Sequence, residues 1–169
     1  MSDDIFDIVN EHDEAIGQRP RREVHALGLM HRAAHIFVFN AVGQIFLQKR
    51  SMTKDNHPGV WDASCSGHVD AGEDYLTGAR RELSEEIGLH NPGPLEPLFK
   101  LTPSAETGQE FIQIFRTRSE GPFTLHPQEI DDGRWIAPDA LDRWMTDRPQ
   151  DFSPAFRLTW STCRQKINS

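Results

Sequence analysis

The stretch Tyr-Leu-Thr-Gly-Ala-Arg-Arg-Glu-Leu-Ser-Glu-Glu-Ile, Tyr75–Ile87, constrains the chain more than any other. Its period predicts a helix, and Gly88 is the stop signal. At about 100° per residue, Glu82, Glu85 and Glu86 fall at i, i+3 and i+4 and share one face. Leu76, Ala79, Leu83 and Ile87 cluster on the neighbouring face, which is expected to pack on a sheet. The three carboxylates therefore run along the edge of a buried stripe. Like charges at this spacing repel by a few tenths of a kcal/mol per pair (about 0.2–0.5) on an open helix, so a cation should offset them. Arg81 is one candidate. A hard divalent cation is another, because clustered carboxylate oxygens are what Mg²⁺ or Mn²⁺ takes.

A solvated acidic helix face would give the same pattern, and the residues upstream weigh against it. Gly67-His68-Val69-Asp70-Ala71-Gly72-Glu73 is a glycine-bounded loop leading into the helix. Gly67 lets the backbone approach a ligand closely and leaves its carbonyl free as a further oxygen donor. Glu73 is a fourth carboxylate, placed to fold back towards the helix.

The rest of the chain frames this segment. Its 169 residues suit one domain, 1–169, able to bury a core without a staple. The net charge of −8 argues against a nucleic-acid polymer as partner, since phosphate backbones attract a surplus of Lys and Arg. The acidic start, Met1-Ser2-Asp3-Asp4, lacks the basic and apolar runs of a secretory signal, and no apolar stretch is long enough for a membrane span. Two cysteines, Cys65 and Cys163, give neither a disulfide framework nor zinc spacing, which fits a cytoplasmic setting.

Residues 5–9 read as an edge strand, 10–14 as its turn, and Arg19-Pro20-Arg21-Arg22 as a solvated basic loop. Residues 33–39, apolar on both faces, read as a central strand. Further strands are expected at 44–48, 61–66, 95–101 and 111–118, and helices at 138–144 and Pro154–Ile167. Trp135, Trp144 and Trp160 read as core or edge packing, and Cys65 as a buried strand residue. The pattern is mixed α/β.

Gly67, Glu73, Arg81, Glu82, Leu83, Glu85, Glu86, Gly88 and Leu89 match the signature of the Nudix hydrolases at all nine defined positions. The resemblance implies the Nudix fold, an α/β/α sandwich around a mixed β-sheet. It also implies a Mg²⁺- or Mn²⁺-dependent hydrolase that cuts a phosphoanhydride bond in a small organic diphosphate. By that resemblance Glu82, Glu85, Glu86 and the Gly67 carbonyl hold metal, Arg81 orients the glutamates, and Glu73 supports the site. A cation acidifies water and neutralises phosphate charge, water attacks phosphorus, and a glutamate acts as general base. Glu82 is the first choice for the base, with Glu86 beside it. Glu110 and Glu129 are reserves, because a later strand or loop sometimes supplies the base in this family. Homodimers are common in the family.

A second resemblance covers more of the chain. His31, Arg50-Ser51-Met52-Thr53-Lys54, Pro58-Gly59-Val60-Trp61, Ser66-Gly67-His68, Glu110 and Phe152-Ser153-Pro154 are similar to isopentenyl diphosphate isomerase, which shares the Nudix fold, and to isomerase-like Nudix hydrolases. This makes Arg50 and Lys54 candidates for the substrate's diphosphate. It makes His31 and His68 candidates for lining the site or holding a second metal; His35 reads as a hydrogen-bonded cleft residue. Two departures favour hydrolysis over isomerisation. Ser66 stands where the isomerase has cysteine, with Cys65 one place early and so on the opposite face of a strand. Ala155 stands where the isomerase has an aromatic residue. A third alternative, a non-catalytic binding module, sits poorly with the complete signature. The motifs of the coenzyme A and NADH branches are absent. Nucleoside diphosphates and triphosphates or an isoprenoid diphosphate are left as substrates.

Overall fold

The structure, a computed structural model, describes residues 4–167. The start of the acidic N-terminal stretch, residues 1–3, lies outside the described residues. In chain order the elements are β1 Ile5–Val9, β2 Ala15–Pro20, α1 Arg21–Leu27, β3 His31–Phe39, β4 Ile45–Arg50, β5 Trp61–Asp62, β6 Cys65–His68, α2 Tyr75–Ile87, β7 Glu96–Leu101, β8 Glu110–Arg118, β9 Ile130–Ile136, α3 Pro138–Asp147, a 3₁₀ turn Pro149–Asp151, and α4 Pro154–Ile167.

Strand β3 organises the main sheet, whose order is β5-β4-β3-β8-β7, with β9 on β4. It pairs parallel with β8, in a register that sets His31 against Glu110. Along its first half it pairs antiparallel with β6, and it meets β4 only at Phe39 and Ile45. The sheet is thus split between β6 and β4. Alternation along β3 explains its continuous apolar run. Ala34, Ile36 and Val38 face α2 with Ala79, Leu83 and Ile87. Ala33 and Phe37 face α3 and α4 with Leu141, Phe152, Phe156 and Trp160. This is the expected α/β/α sandwich, and Cys65 sits buried on the α2 side.

Helix α2 begins where Asp74 accepts a hydrogen bond from Thr77 N at 2.7 Å, a side-chain N-cap. It stops at Gly88, whose φ of 70° is the left-handed conformation a helix C-cap takes. Burying Leu83 and Ile87 contributes roughly 1.5–3 kcal/mol each. Leu76 departs from expectation and is exposed. In its first turn the helix leans instead on Gly78, where even a Cβ would lie 3.3 Å from Val69 Cγ2. Leu76, two residues back and about 200° round the helix, is turned to solvent.

Besides the 3₁₀ turn, three elements had no sequence expectation: β2, α1 and β9. Arg19 and Pro20 close β2, and Arg21 and Arg22 open α1, so the expected basic loop is structured. Pro20, with φ −62° and ψ 148°, sets the strand-to-helix corner. Hairpin β1–β2 packs beside β6: Phe6 bridges Asp70, and Ala71 N donates to Ile5 O. The hairpin turn is pinned through Asp13, whose carboxylate accepts from Arg32, Tyr75 and Lys100 at 2.7 Å each. Among the described residues no helix is long and apolar enough to cross a membrane.

Candidate active site

Two side-chain clusters lie on opposite faces of β6, and the strand joins them. Because β6 alternates, Cys65 and Gly67 face α2, while Ser66 and His68 face the other way.

On the α2 side the carboxylates meet the backbone. A Cβ on Gly67 would come within 2.5 Å of Glu82 Cγ and closer still to its carboxylate, so only glycine permits this approach. Glu86 Oε1 accepts from Gln48 Nε2 at 3.0 Å and from Ser66 N at 3.3 Å across the split in the sheet. Arg81 collects the rest. Its Nε and Nη2 bind Glu73 at 2.9 and 3.0 Å, its Nη1 binds Glu82 at 2.6 Å and Glu85 at 3.2 Å, and its Nη2 also donates to the His68 carbonyl at 2.9 Å. Glu73 accepts from Asp70 N at 2.8 Å, which folds it back as expected. Its pKa lies below the usual range because the Arg81 and Asp70 hydrogen bonds outweigh its burial. Glu82 goes the other way: burial, then the adjacent Glu86 carboxylate, push it up to about 10. Two acidic groups forced together in a glycine-lined recess, with further carboxylate oxygens around them, suit a hard divalent cation. Glu82, Glu86, the exposed Glu85 and the Gly67 carbonyl are the donors that could hold it.

On the opposite face His25, His31, His68 and Glu110 converge, with one ligand-type atom from each lying within 4.8 Å of the others. Glu110 Oε2 is 3.0 Å from His31 Nε2 and 2.7 Å from His68 Nε2. Burial would raise the Glu110 pKa, but His68 and His31 hold it far below the carboxylate range. His31 Nδ1 donates to Leu29 O at 2.8 Å, which fixes the ring with Nε2 facing Glu110 and the cluster. Burial first, and then the positive field of His68, Arg21 and His31, lower the His25 pKa to about 4. Three imidazoles and a carboxylate so placed are a donor set for Mn²⁺ or Zn²⁺. Phe6 stacks on His31 and His68 at centroid distances of 5.7 and 4.7 Å and closes the cluster from the N-terminal hairpin.

The structure thus brings Gly67, Glu73, Arg81, Glu82, Glu85 and Glu86 together, and His31, His68 and Glu110 into a second group beside them. Arg50, Lys54 and Glu129 belong to neither. Arg50 donates to the carbonyls of Asn56 and His57 and lies 3.6 Å from Asp62. Lys54 pairs with Glu129. In this arrangement those charges hold the loop after β4. Sequence reasoning missed His25, Gln48 and Phe6. His25 sits on a seven-residue helix with one buried residue, Val24, which leaves almost no periodic signal.

Fold and site together define a class: a split mixed sheet between helices, with a glycine-backed set of glutamates at the split. The NUDIX domain family model matches residues 29–156. An uncharacterized Nudix hydrolase of Yersinia pestis is 38% identical over 157 residues, covering 88% of this chain and 79% of that one. Isopentenyl-diphosphate Delta-isomerase 2 of Photorhabdus laumondii is 34% identical over 137 residues, covering 79% of this chain and 77% of that one. Among solved structures, DR0079 from Deinococcus radiodurans superposes with a TM-score of 0.75 and 31% identity, covering 85% of this chain and 89% of that one. The chain belongs to the Nudix family and is a hydrolase of pyrophosphate bonds.

Proposed function

We propose that this protein hydrolyses the phosphoanhydride bond of a small organic diphosphate of the nucleoside diphosphate type, by attack of water at phosphorus. The observation that carries the reading is the contact of Gly67 with Glu82, which places two crowded carboxylates against the β6 backbone. Glu82, Glu85, Glu86 and Gly67 O are the proposed ligands of Mg²⁺ or Mn²⁺. That ion, when bound, acidifies water and neutralises charge on the phosphate oxygens. Arg81 fixes the positions of Glu82 and Glu85 while its other donors hold Glu73 and the β6 backbone. Glu82 is the proposed general base, because it stands at the Gly67 backbone where the carboxylates gather. Glu110 is held by His31 and His68, and Glu129 by Lys54, away from the Glu82–Glu86 group. Arg50 and Lys54 could reach a diphosphate only by giving up their present partners.

A second reading, isomerisation of an isoprenoid diphosphate, draws on the His25–His31–His68–Glu110 group and the Photorhabdus relative. Ser66 argues against it, since a hydroxyl stands where that chemistry uses a thiol. A phosphate-release screen over nucleoside diphosphates, nucleoside triphosphates and isopentenyl diphosphate, with Mg²⁺ and with Mn²⁺, separates the two. Release from a nucleotide supports hydrolysis. Conversion of isopentenyl diphosphate without phosphate release would replace the proposal by the second reading.

A further inference from the structure

Arg81 gathers Glu73, Glu82 and Glu85, and among the described residues none of its hydrogen bonds or ion pairs reaches Glu86. That glutamate is held from across the split in the sheet. Gln48 Nε2, on β4, donates to Glu86 Oε1 at 3.0 Å, and the Ser66 N–H of β6 donates to the same oxygen at 3.3 Å. The Gln48 amide is itself fixed. It is 3% exposed, and its Nε2 also donates to the Ser64 carbonyl at 3.3 Å. Each amide hydrogen therefore has an acceptor, and the pair of acceptors turns the NH₂ rather than the oxygen towards Glu86. The backbone beneath is anchored too, because Gln48 pairs with Asp62 on β5 and with Gly133 on β9. Two features suit this contact to a metal ligand. A neutral amide holds a carboxylate without cancelling its charge, whereas an arginine there would compete with a cation for it. The two donors also engage Oε1 alone and leave Oε2 to the recess that Glu86 shares with Glu82.

Resting on the metal-dependent hydrolytic reading, we infer that Gln48 is a positioning residue that holds the Glu86 carboxylate in the orientation in which it binds the divalent cation. It does so from β4, a strand that carries none of the proposed ligands. The glutamates of α2 are thus held by two devices: Arg81 for Glu82 and Glu85, and a buried amide for Glu86. Groups that orient a metal's ligands set its affinity nearly as strongly as the ligands do.

The test is the Mn²⁺ affinity of the full chain, read by electron paramagnetic resonance, in the native protein, Gln48→Met, Glu86→Gln and the double variant. The site counted is the one that Glu86→Gln weakens, which sets aside any binding at the histidine group. Gln48→Met keeps the length and burial of the side chain and removes its donors. It should weaken Mn²⁺ binding by about 10–100-fold. The Mg²⁺ concentration for half-maximal hydrolysis should rise in step, with the KM for the diphosphate at saturating metal little changed. In the Glu86→Gln background the same change should cost little, because the carboxylate it holds is gone. A thermal melt without metal checks each variant. In the native protein the Gln48 side-chain amide signal should shift in NMR spectra when Mg²⁺ is added, a reading that needs no variant to fold. Native-like Mn²⁺ affinity in a well-folded Gln48→Met protein, an equal loss with and without Glu86, or an amide signal that stays in place would overturn the inference and leave Gln48 as a staple of the split sheet. If Glu86→Gln binds Mn²⁺ as tightly as the native protein, the metal reading fails by itself, whatever Gln48 does.

Discussion

Gly67→Ala separates the site from the fold. The backbone of Gly67 lies outside the left-handed region, so alanine brings no conformational strain at that position. What it brings is one methyl carbon against the Glu82 carboxylate, within 2.5 Å of Cγ where ordinary contact begins near 3.4 Å. Glu82 must retreat by about 1 Å, and Arg81 at 2.6 Å resists the retreat. A misplacement of about 1 Å in a catalytic array costs on the order of 10²-fold. The strand itself tolerates alanine, and overpacking costs roughly 1–3 kcal/mol, less here because a side chain at the split can give way. Steady-state hydrolysis and a denaturant melt on the same preparation should show kcat down by about two orders of magnitude and a fold that survives. A Gly67→Ala enzyme with near-native kcat would refute the claim that this contact builds the site. Loss of activity together with unfolding would show that the glycine serves the fold instead.

The remaining predictions concern the same framework. Glu85→Gln and Glu86→Gln should each abolish turnover; activity surviving both changes would sink the metal assignment. Leu83→Ala, at a fully buried position between α2 and the sheet, should destabilise by about 2–5 kcal/mol in a urea melt; a loss below about 1 kcal/mol would mean that α2 packs elsewhere. At Asp13, burial alone would raise the pKa, but the hydrogen bonds from Arg32, Lys100 and Tyr75 outweigh it and lower the value. A carboxylate depressed in this way stabilises the fold fully above its unfolded pKa of 3.8 and loses that stabilisation as pH falls through the folded value. Asp13→Asn should therefore lower Tm at pH 7 and approach the native protein near pH 3. An equal gap at both pH values would contradict the sign.

Helix α2 was legible to the residue, because its period and its stop both sit within the local sequence. The nine signature positions were legible for a related reason: helical spacing places the carboxylates, and one glycine admits them to the backbone. What escaped depends on partners distant in the chain. Strand β9 reads Ile-Asp-Asp-Gly-Arg-Trp-Ile, which contains turn residues, yet it pairs with β4 from Ile45 to Arg50. Its Gly133 lies under the Phe46 ring, leaving no room for a side chain. Helix α1 has one buried residue and follows a proline corner, so neither its period nor its length could announce it. His25 was hidden with it. The histidine and glutamate group became visible only once the β3–β8 and β3–β6 registers brought residues from three strands and a helix to one point.

The central claim is that water attacks phosphorus at the glutamate-lined recess. It is tested most directly by running the reaction in ¹⁸O-water on the best diphosphate from the screen and reading the products by ³¹P NMR. The account predicts ¹⁸O in a released phosphate, dependent on Mg²⁺ or Mn²⁺, stopped by a chelator and absent in Glu86→Gln. Turnover of a diphosphate with no label at phosphorus, or labelling that persists undiminished in Glu86→Gln, would contradict it.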